Sequence, residues 1–254
     1  MPDPASPGGR PQRALVAVAH GSADPCASAT IAELAAAARA RSPGLDLRIA
    51  FLGHAPPSLP QVLSTIEPGR EVTVLPLLLT AAYHSKADIP RLLARFPRLR
   101  VSYGATLGPH PLLLRALERR LAEADPQGAE ADQERTAVVL AAAGSSDHEA
   151  NATIERLAAQ WQARTGWLAV RPAYASAAEP SPAAAVAGLL RDGAPRVVVA
   201  TYLLAPGLFA DRIRQSTLAA GAAAVSPALG ACAEVADVLL DRFAAAPSQR
   251  CTAA

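Results

Sequence analysis

The sequence predicts an α/β protein built twice over. Two tandem domains, each a mainly parallel four-stranded sheet flanked by helices, are expected to face each other across a cleft. Three observations carry this. Apolar runs of strand length alternate with helical stretches of about 10–15 residues, the rhythm of βαβ units with right-handed crossovers. Runs such as Val72–Leu79 (VTVLPLLL) are almost continuously apolar, as strands buried on both faces of a parallel sheet are. The same order of elements then returns in the second half of the 254 residues, with residue-level matches at an offset of 123.

Residues 1–12, rich in Pro, Gly and Ser, are expected to form a disordered tail. The first domain is expected over 13–124, with strands at Ala14–Ala19, Leu45–Leu52, Val72–Leu79 and Val101–Ala105. Its helices are expected near Ala27–Arg41, Ser58–Ile66, Lys86–Phe96 and Pro111–Ala124. A polar segment over 125–135 reads as a linker. The second domain, 136–245, repeats the pattern, with strands at Ala137–Ala142, Leu168–Ala173, Val197–Leu204 and Ala223–Pro227. Helices are expected near His148–Arg164, Pro182–Arg191, Phe209–Ala220 and Ala233–Ala245, and 246–254 reads as a second tail.

The repeat is visible in single residues. His20-Gly21-Ser22-Ala23-Asp24 aligns with Ala143-Gly144-Ser145-Ser146-Asp147, Pro57-Ser58 with Pro180-Ser181, and Asp88 with Asp211. One residue is lost later, so Leu107-Gly108 falls on Leu229-Gly230 at an offset of 122.

Composition narrows the function. Hydrophobic residues at 51% suffice for buried cores, and a net charge of only +2 argues against a nucleic-acid partner. Apolar stretches fall short of the roughly 20 residues of a membrane span, and the N-terminus has no signal-peptide core. A soluble, cytoplasmic protein without membrane contact is expected. Cys26, Cys232 and Cys251 form no CxxC pair, so neither a disulfide framework nor a zinc knuckle is indicated. Cys26 is expected to be a small buried apolar residue.

Reactive residue types cluster where strands end. Beyond Leu79 come Tyr83, His84, Ser85, Lys86 and Asp88, and Lys86 is the only lysine in the chain. His20 follows the first strand in the same way. Open α/β sheets place ligand crevices beyond the carboxyl ends of their strands, so His20 and His84 are expected to face each other there. The second copy has lost this chemistry: His20, His54, His84 and His110 align with Ala143, Ala177, Gly207 and Cys232. An active first half and a degenerate second half are expected. His110, between two prolines, reads as a helix-entry residue, and His148 as surface. Paired imidazoles without a Ser-His-Asp or Cys-His pattern admit metal coordination or proton transfer.

HGSADP after the first strand, LPLLLTAAYHSKADIP, and LGPHPLL after the fourth resemble the signatures of the CbiX/SirB-type sirohydrochlorin chelatases. The likeness runs from about Arg13 to Ala245 and includes Pro206-Gly207-Leu208-Phe209-Ala210-Asp211-Arg212-Ile213 in the second copy. It implies two fused chelatase domains and insertion of a divalent metal, Fe2+, Co2+ or Ni2+, into sirohydrochlorin without an organic cofactor. His20 and His84 match the family's metal-handling histidines. Relatives place an acidic residue near the end of the second strand, where this chain has Gly53 and His54, so His54 is a candidate proton acceptor. An octacarboxylate substrate calls for cations, and Lys86, Arg91, Arg212 and Arg214 are candidates beside Ser22 and the two Gly-Ser turns. A monomer is expected, because fused copies already supply a pseudo-twofold cleft. Histidine placed at Ala143 or Gly207 is expected to be tolerated by the fold. A non-catalytic metal or tetrapyrrole carrier and a histidine-dependent phosphoryl-transfer enzyme stand as alternatives.

Overall fold

The computed structural model describes residues 13–81, 87–126, 128 and 133–247. The first half runs β1 (Ala14–Ala19), α1 (Pro25–Arg41), β2 (Leu47–Phe51), α2 (Leu59–Ser64), β3 (Glu71–Pro76), α3 (Ile89–Leu93), β4 (Arg100–Tyr103) and α4 (Pro111–Ala124). The second runs β5 (Thr136–Ala142), α5 (His148–Arg164), β6 (Ala169–Tyr174), α6 (Pro182–Arg191), β7 (Arg196–Tyr202), α7 (Leu208–Ala219), β8 (Ala224–Val225) and α8 (Ala233–Ala245). The strands form two sheets ordered β2-β1-β3-β4 and β6-β5-β7-β8, parallel at every pairing. The predicted duplicated α/β architecture is therefore the observed one.

Strand residues point alternately to the two faces, and here both faces are covered. Leu15, Ala17 and Ala19 of β1 join an inner core, whereas Val16 and Val18 join an outer one. In β5 the inner set is Val138, Leu140 and Ala142, and Ala137, Val139 and Ala141 face outward. The inner core is continuous across the halves and takes Leu34 of α1, Leu117 of α4, Trp161 of α5 and Leu239 of α8. These four helices thus lie between the two sheets. Residues of α2 and α3 cover the outer face of the first sheet, and α6 with Ile213 of α7 that of the second.

Several element ends differ from expectation, among them those of β3, α3 and β8. β3 stops at Pro76, not Leu79: Leu77 still donates its N–H to Val18 O at 2.7 Å, and the chain then leaves the ladder. α3 covers only Ile89–Leu93, because Pro97 disfavours helical geometry at Phe96 and the chain closes in turns. β8 is two residues long. Ser226 spends its side chain on the Thr201 N–H, and Pro227 has no N–H to add.

The halves exchange their last helices. α4 packs against β7 and β8 of the second sheet, and α8 against β3 of the first. Arg120 of α4 donates to Leu229 O at 2.9 Å, and Arg242 of α8 donates to Leu107 O at 3.1 Å and Pro109 O at 2.8 Å. Arg120 and Arg242 are equivalent at the offset of 122, as are Leu107 and Leu229. A contact repeated with its partners interchanged is the mark of a twofold relation. Tyr202 donates its hydroxyl to Leu79 O at 3.3 Å, and these two residues are themselves equivalent, so they meet at the pseudo-axis.

Arg242→Ala removes charge-assisted bonds to two carbonyls and is expected to cost about 1–3 kcal/mol, read as a lower urea midpoint; Arg242→Lys restores little, lacking the forked geometry. His110, as expected, enters a helix: its Nδ1 accepts the Leu112 N–H at 3.2 Å as the N-cap of α4. Burial, assisted by Arg242 and opposed by Asp241, holds its pKa below the ordinary 6.5. Because the unfolded chain binds this proton more readily, stability is expected to fall as pH drops below 6.5 and to level off below the folded-state pKa. His110→Asn keeps a capping side chain and is expected to flatten that part of the pH–stability curve.

Candidate functional site

The turns after β1 and β5 are built alike. Asp24 caps α1 by accepting the Cys26 N–H at 2.8 Å, and its own N–H donates to Ser22 Oγ at 3.1 Å. Asp147 and Ser145 repeat both bonds at 3.0 Å. Gly21 and Gly144 have φ of 90° and 82°, and a Cβ there would stand 1.7 Å from Gly53 O or 1.9 Å from Ser176 O. Only glycine permits this approach, which lays the loop after β2 or β6 over the turn. Gly53 donates to His20 O at 3.1 Å, and Ser176 to Ala143 O at 3.0 Å.

That loop carries His54 to His20. The ring centroids lie 6.3 Å apart, tilted by 55°, and both residues are exposed. Two imidazoles sharing a tetrahedral ion at about 2.0–2.1 Å have centroids roughly 5 Å apart, so at 6.3 Å His54 stands beside His20 and not on a shared ion. His54 sits at φ 61°, in the left-handed region, and its counterpart Ala177 at φ 59°. The loop shape is common to both halves, and the imidazole belongs to one. His84 and Lys86 lie outside the described residues. Among the described residues no group of three or more His, Cys, Asp or Glu is placed to hold a metal.

A cavity of about 790 Å³ opens between the halves at these turns. It is lined by His20, Ser22 and His54, by Ser145 and Asn151, and by the segments after β3 and β7. In each sheet the order reverses between the first and third strands, so the cavity occupies both topological switch points. Its wall is mainly apolar, and no described lining residue is charged. Arg91 on α3 and Arg212 and Arg214 on α7 are exposed and stand outside the described lining.

The two Gly-Ser turns differ in what they offer. Ser145 donates its N–H to Asn151 Oδ1 at 3.0 Å, and Asn151 Nδ2 donates to Ser145 O at 2.7 Å. That amide is spent within the second half, whereas the aligned residue in the first half is the shorter Ser28. Nothing in the spacing of the sequence announces Asn151, and only its alignment with Ser28 exposes the change. Two expectations need correction. Cys26 is exposed in the first turn of α1 rather than buried, since the cap turns it to solvent. Gly207 has φ 143°, a conformation that strains any side chain, so histidine there is not a neutral change. A Cβ on Gly207 would lie 3.7 Å from Ser22 Oγ, placing the second half's Pro-Gly turn against the first half's His-Gly-Ser turn.

Gly21→Ala combines positive-φ strain with backbone overlap and is expected to destabilise by about 2–4 kcal/mol. Gly207→Ala meets no atom closer than 3.7 Å and carries the backbone strain alone. Thermal unfolding is expected to rank Gly21→Ala as the more damaging of the two.

The family model described as CbiX matches residues 14–124 and again 137–246. The chain is 28% identical over 171 residues to a sirohydrochlorin cobaltochelatase of Priestia megaterium, covering 65% of this chain and 56% of that protein. It is 28% identical over 148 residues to a sirohydrochlorin ferrochelatase of Bacillus subtilis, covering 57% and 55%. The matches thus span little more than half the length of these curated relatives. Among solved structures, SirB from Bacillus subtilis with Fe3+ superimposes with a TM-score of 0.77 at 25% identity, covering 92% of this chain and 94% of that one. CbiX, described as the terminal enzyme for biosynthesis of siroheme in denitrifying bacteria, gives 0.71 at 22% identity, covering 93% and 100%, a likeness of fold. With both halves matched in turn by one family model, the chain belongs to the CbiX family.

Proposed function

We propose that this protein is a sirohydrochlorin chelatase, an enzyme that inserts a divalent metal into a planar tetrapyrrole. One observation carries the reading: the cavity on the pseudo-axis is apolar and uncharged in its described wall, with two imidazoles on its first-half side only. The names of the relatives agree with it. The metal is a substrate, Fe2+ on the way to sirohaem or Co2+ on the way to a cobalamin precursor, with Ni2+ also suited to imidazole. No organic cofactor enters the reaction.

In this reading His20 and His84 bind the metal and present it to one face of the macrocycle. Insertion of the dication releases two pyrrole protons, and His54, beside His20, accepts each in turn and passes it to water. The carboxylates lie at the rim, where Ser22, Lys86, Arg91, Arg212 and Arg214 are the candidate contacts. The second half acts as wall and not as a second metal site. The enzyme works as a cytoplasmic monomer.

The test is the initial rate of chelation with cobalt or iron, beside circular dichroism. His20→Ala and His84→Ala are each expected to abolish insertion with the fold intact. His54→Ala is expected to lower the rate by about 10²–10⁴ and remove a basic limb from the pH profile, with metal affinity little changed. Turnover beyond one equivalent separates an enzyme from a carrier, and a double His20→Ala, His84→Ala variant that still inserts metal rapidly sinks the assignment.

A further inference from the structure

Among the described residues the exposed large apolar side chains are Leu168, Leu208, Phe209 and Leu218. Leu208 and Phe209 are neighbours in the first turn of α7, exposed by 62% and 36%, and both line the cavity. Core packing does not account for them. α7 buries Ile213 and Thr217, and neither Leu208 nor Phe209 belongs to any of the three apolar clusters. Inheritance does not account for them either, since the aligned residues of the first copy are Ser85 and Lys86. Large apolar groups held in water at the lip of an apolar cavity mark a binding surface.

The occupant follows from what the described wall lacks. With no charged lining residue, it suits the flat π face of a macrocycle and not an edge that bears carboxylates. Gly207, next to the pair, lies against the turn that carries His20 and Ser22. We infer that Leu208 and Phe209 form the platform on which the tetrapyrrole face rests, so that the second half positions the macrocycle for the imidazoles of the first. This rests on the chelatase reading and assigns a binding role to a half that lacks the histidines of the first half's site.

The experiment is a fluorescence titration of metal-free sirohydrochlorin against the parent protein, Leu208→Ala, Phe209→Ala, the double variant, and Leu218→Ala on the same helix. Each platform truncation is expected to weaken binding about tenfold and the double variant about a hundredfold. Phe209→Leu is expected to recover most of the loss and Phe209→Ser none. Leu218→Ala, Co2+ affinity without tetrapyrrole, and circular dichroism are expected to be unchanged. Chelation assays are expected to show a raised KM with kcat within about twofold of the parent. Parent-like affinity in the double variant overturns the inference and leaves the chelatase reading standing. So does a change of association state by light scattering without a change in affinity, which makes the pair an interface between copies. A parent protein that does not bind sirohydrochlorin overturns the chelatase reading, and this inference with it.

Discussion

The exchange of α4 and α8 is the constraint on which the rest depends. Neither sheet's inner face is covered by its own half alone, so the two halves share one core and separate only by exposing it. The cavity lies at one end of that core. Its floor is set where Tyr202 meets Leu79, and Gly108 has no space for a side chain there, a Cβ falling 2.2 Å from Leu79 O and 2.4 Å from the Tyr202 hydroxyl. Burial pushes the Tyr202 phenol far above its ordinary pKa, which keeps it a neutral donor. A cleft built this way is pre-formed, and its chemistry is open to change at the rim far more than in the floor.

Duplication has accordingly preserved backbone and released side chains. Gly21 and Gly144, and the left-handed positions of His54 and Ala177, hold the same loop over the same turn in both halves. Ser58 and Ser181 cap α2 and α6 in the same way. At two positions that line the cavity the copies part: imidazole against methyl at 20 and 143, serine against asparagine at 28 and 151. Asn151 closes its turn with two hydrogen bonds of its own, so the second half is sealed as well as stripped of imidazole at the positions aligned with His20 and His54.

The sequence made the sheets legible because burial on both faces leaves β1 wholly apolar and β5 apolar but for Thr136, and the copies corroborate each other. It also brought out His20 and His54, since loss of the same histidines in one copy marks positions free of packing duty. The helix exchange was not legible. An apolar stripe on α4 or α8 says that a face is buried, not which sheet buries it. Nor were Leu208 and Phe209, because a leucine and a phenylalanine in a helix read as core until their exposure is known.

The placing of the imidazoles at the rim has a physical logic within the chelatase reading. Insertion replaces two N–H protons of the ring core by a dication and leaves the macrocycle's charge unchanged, so two protons must leave the site in each turnover. An acceptor embedded in the apolar wall would become a buried, unpaired cation, at a cost of several kcal/mol. His54 is exposed, so a proton taken there passes on to water without that penalty. The uncharged second-half wall avoids the converse difficulty, since a fixed cation there would repel the incoming metal. Loss of histidine from the second copy thus serves the reaction: one face of the cleft handles charge because the other carries none.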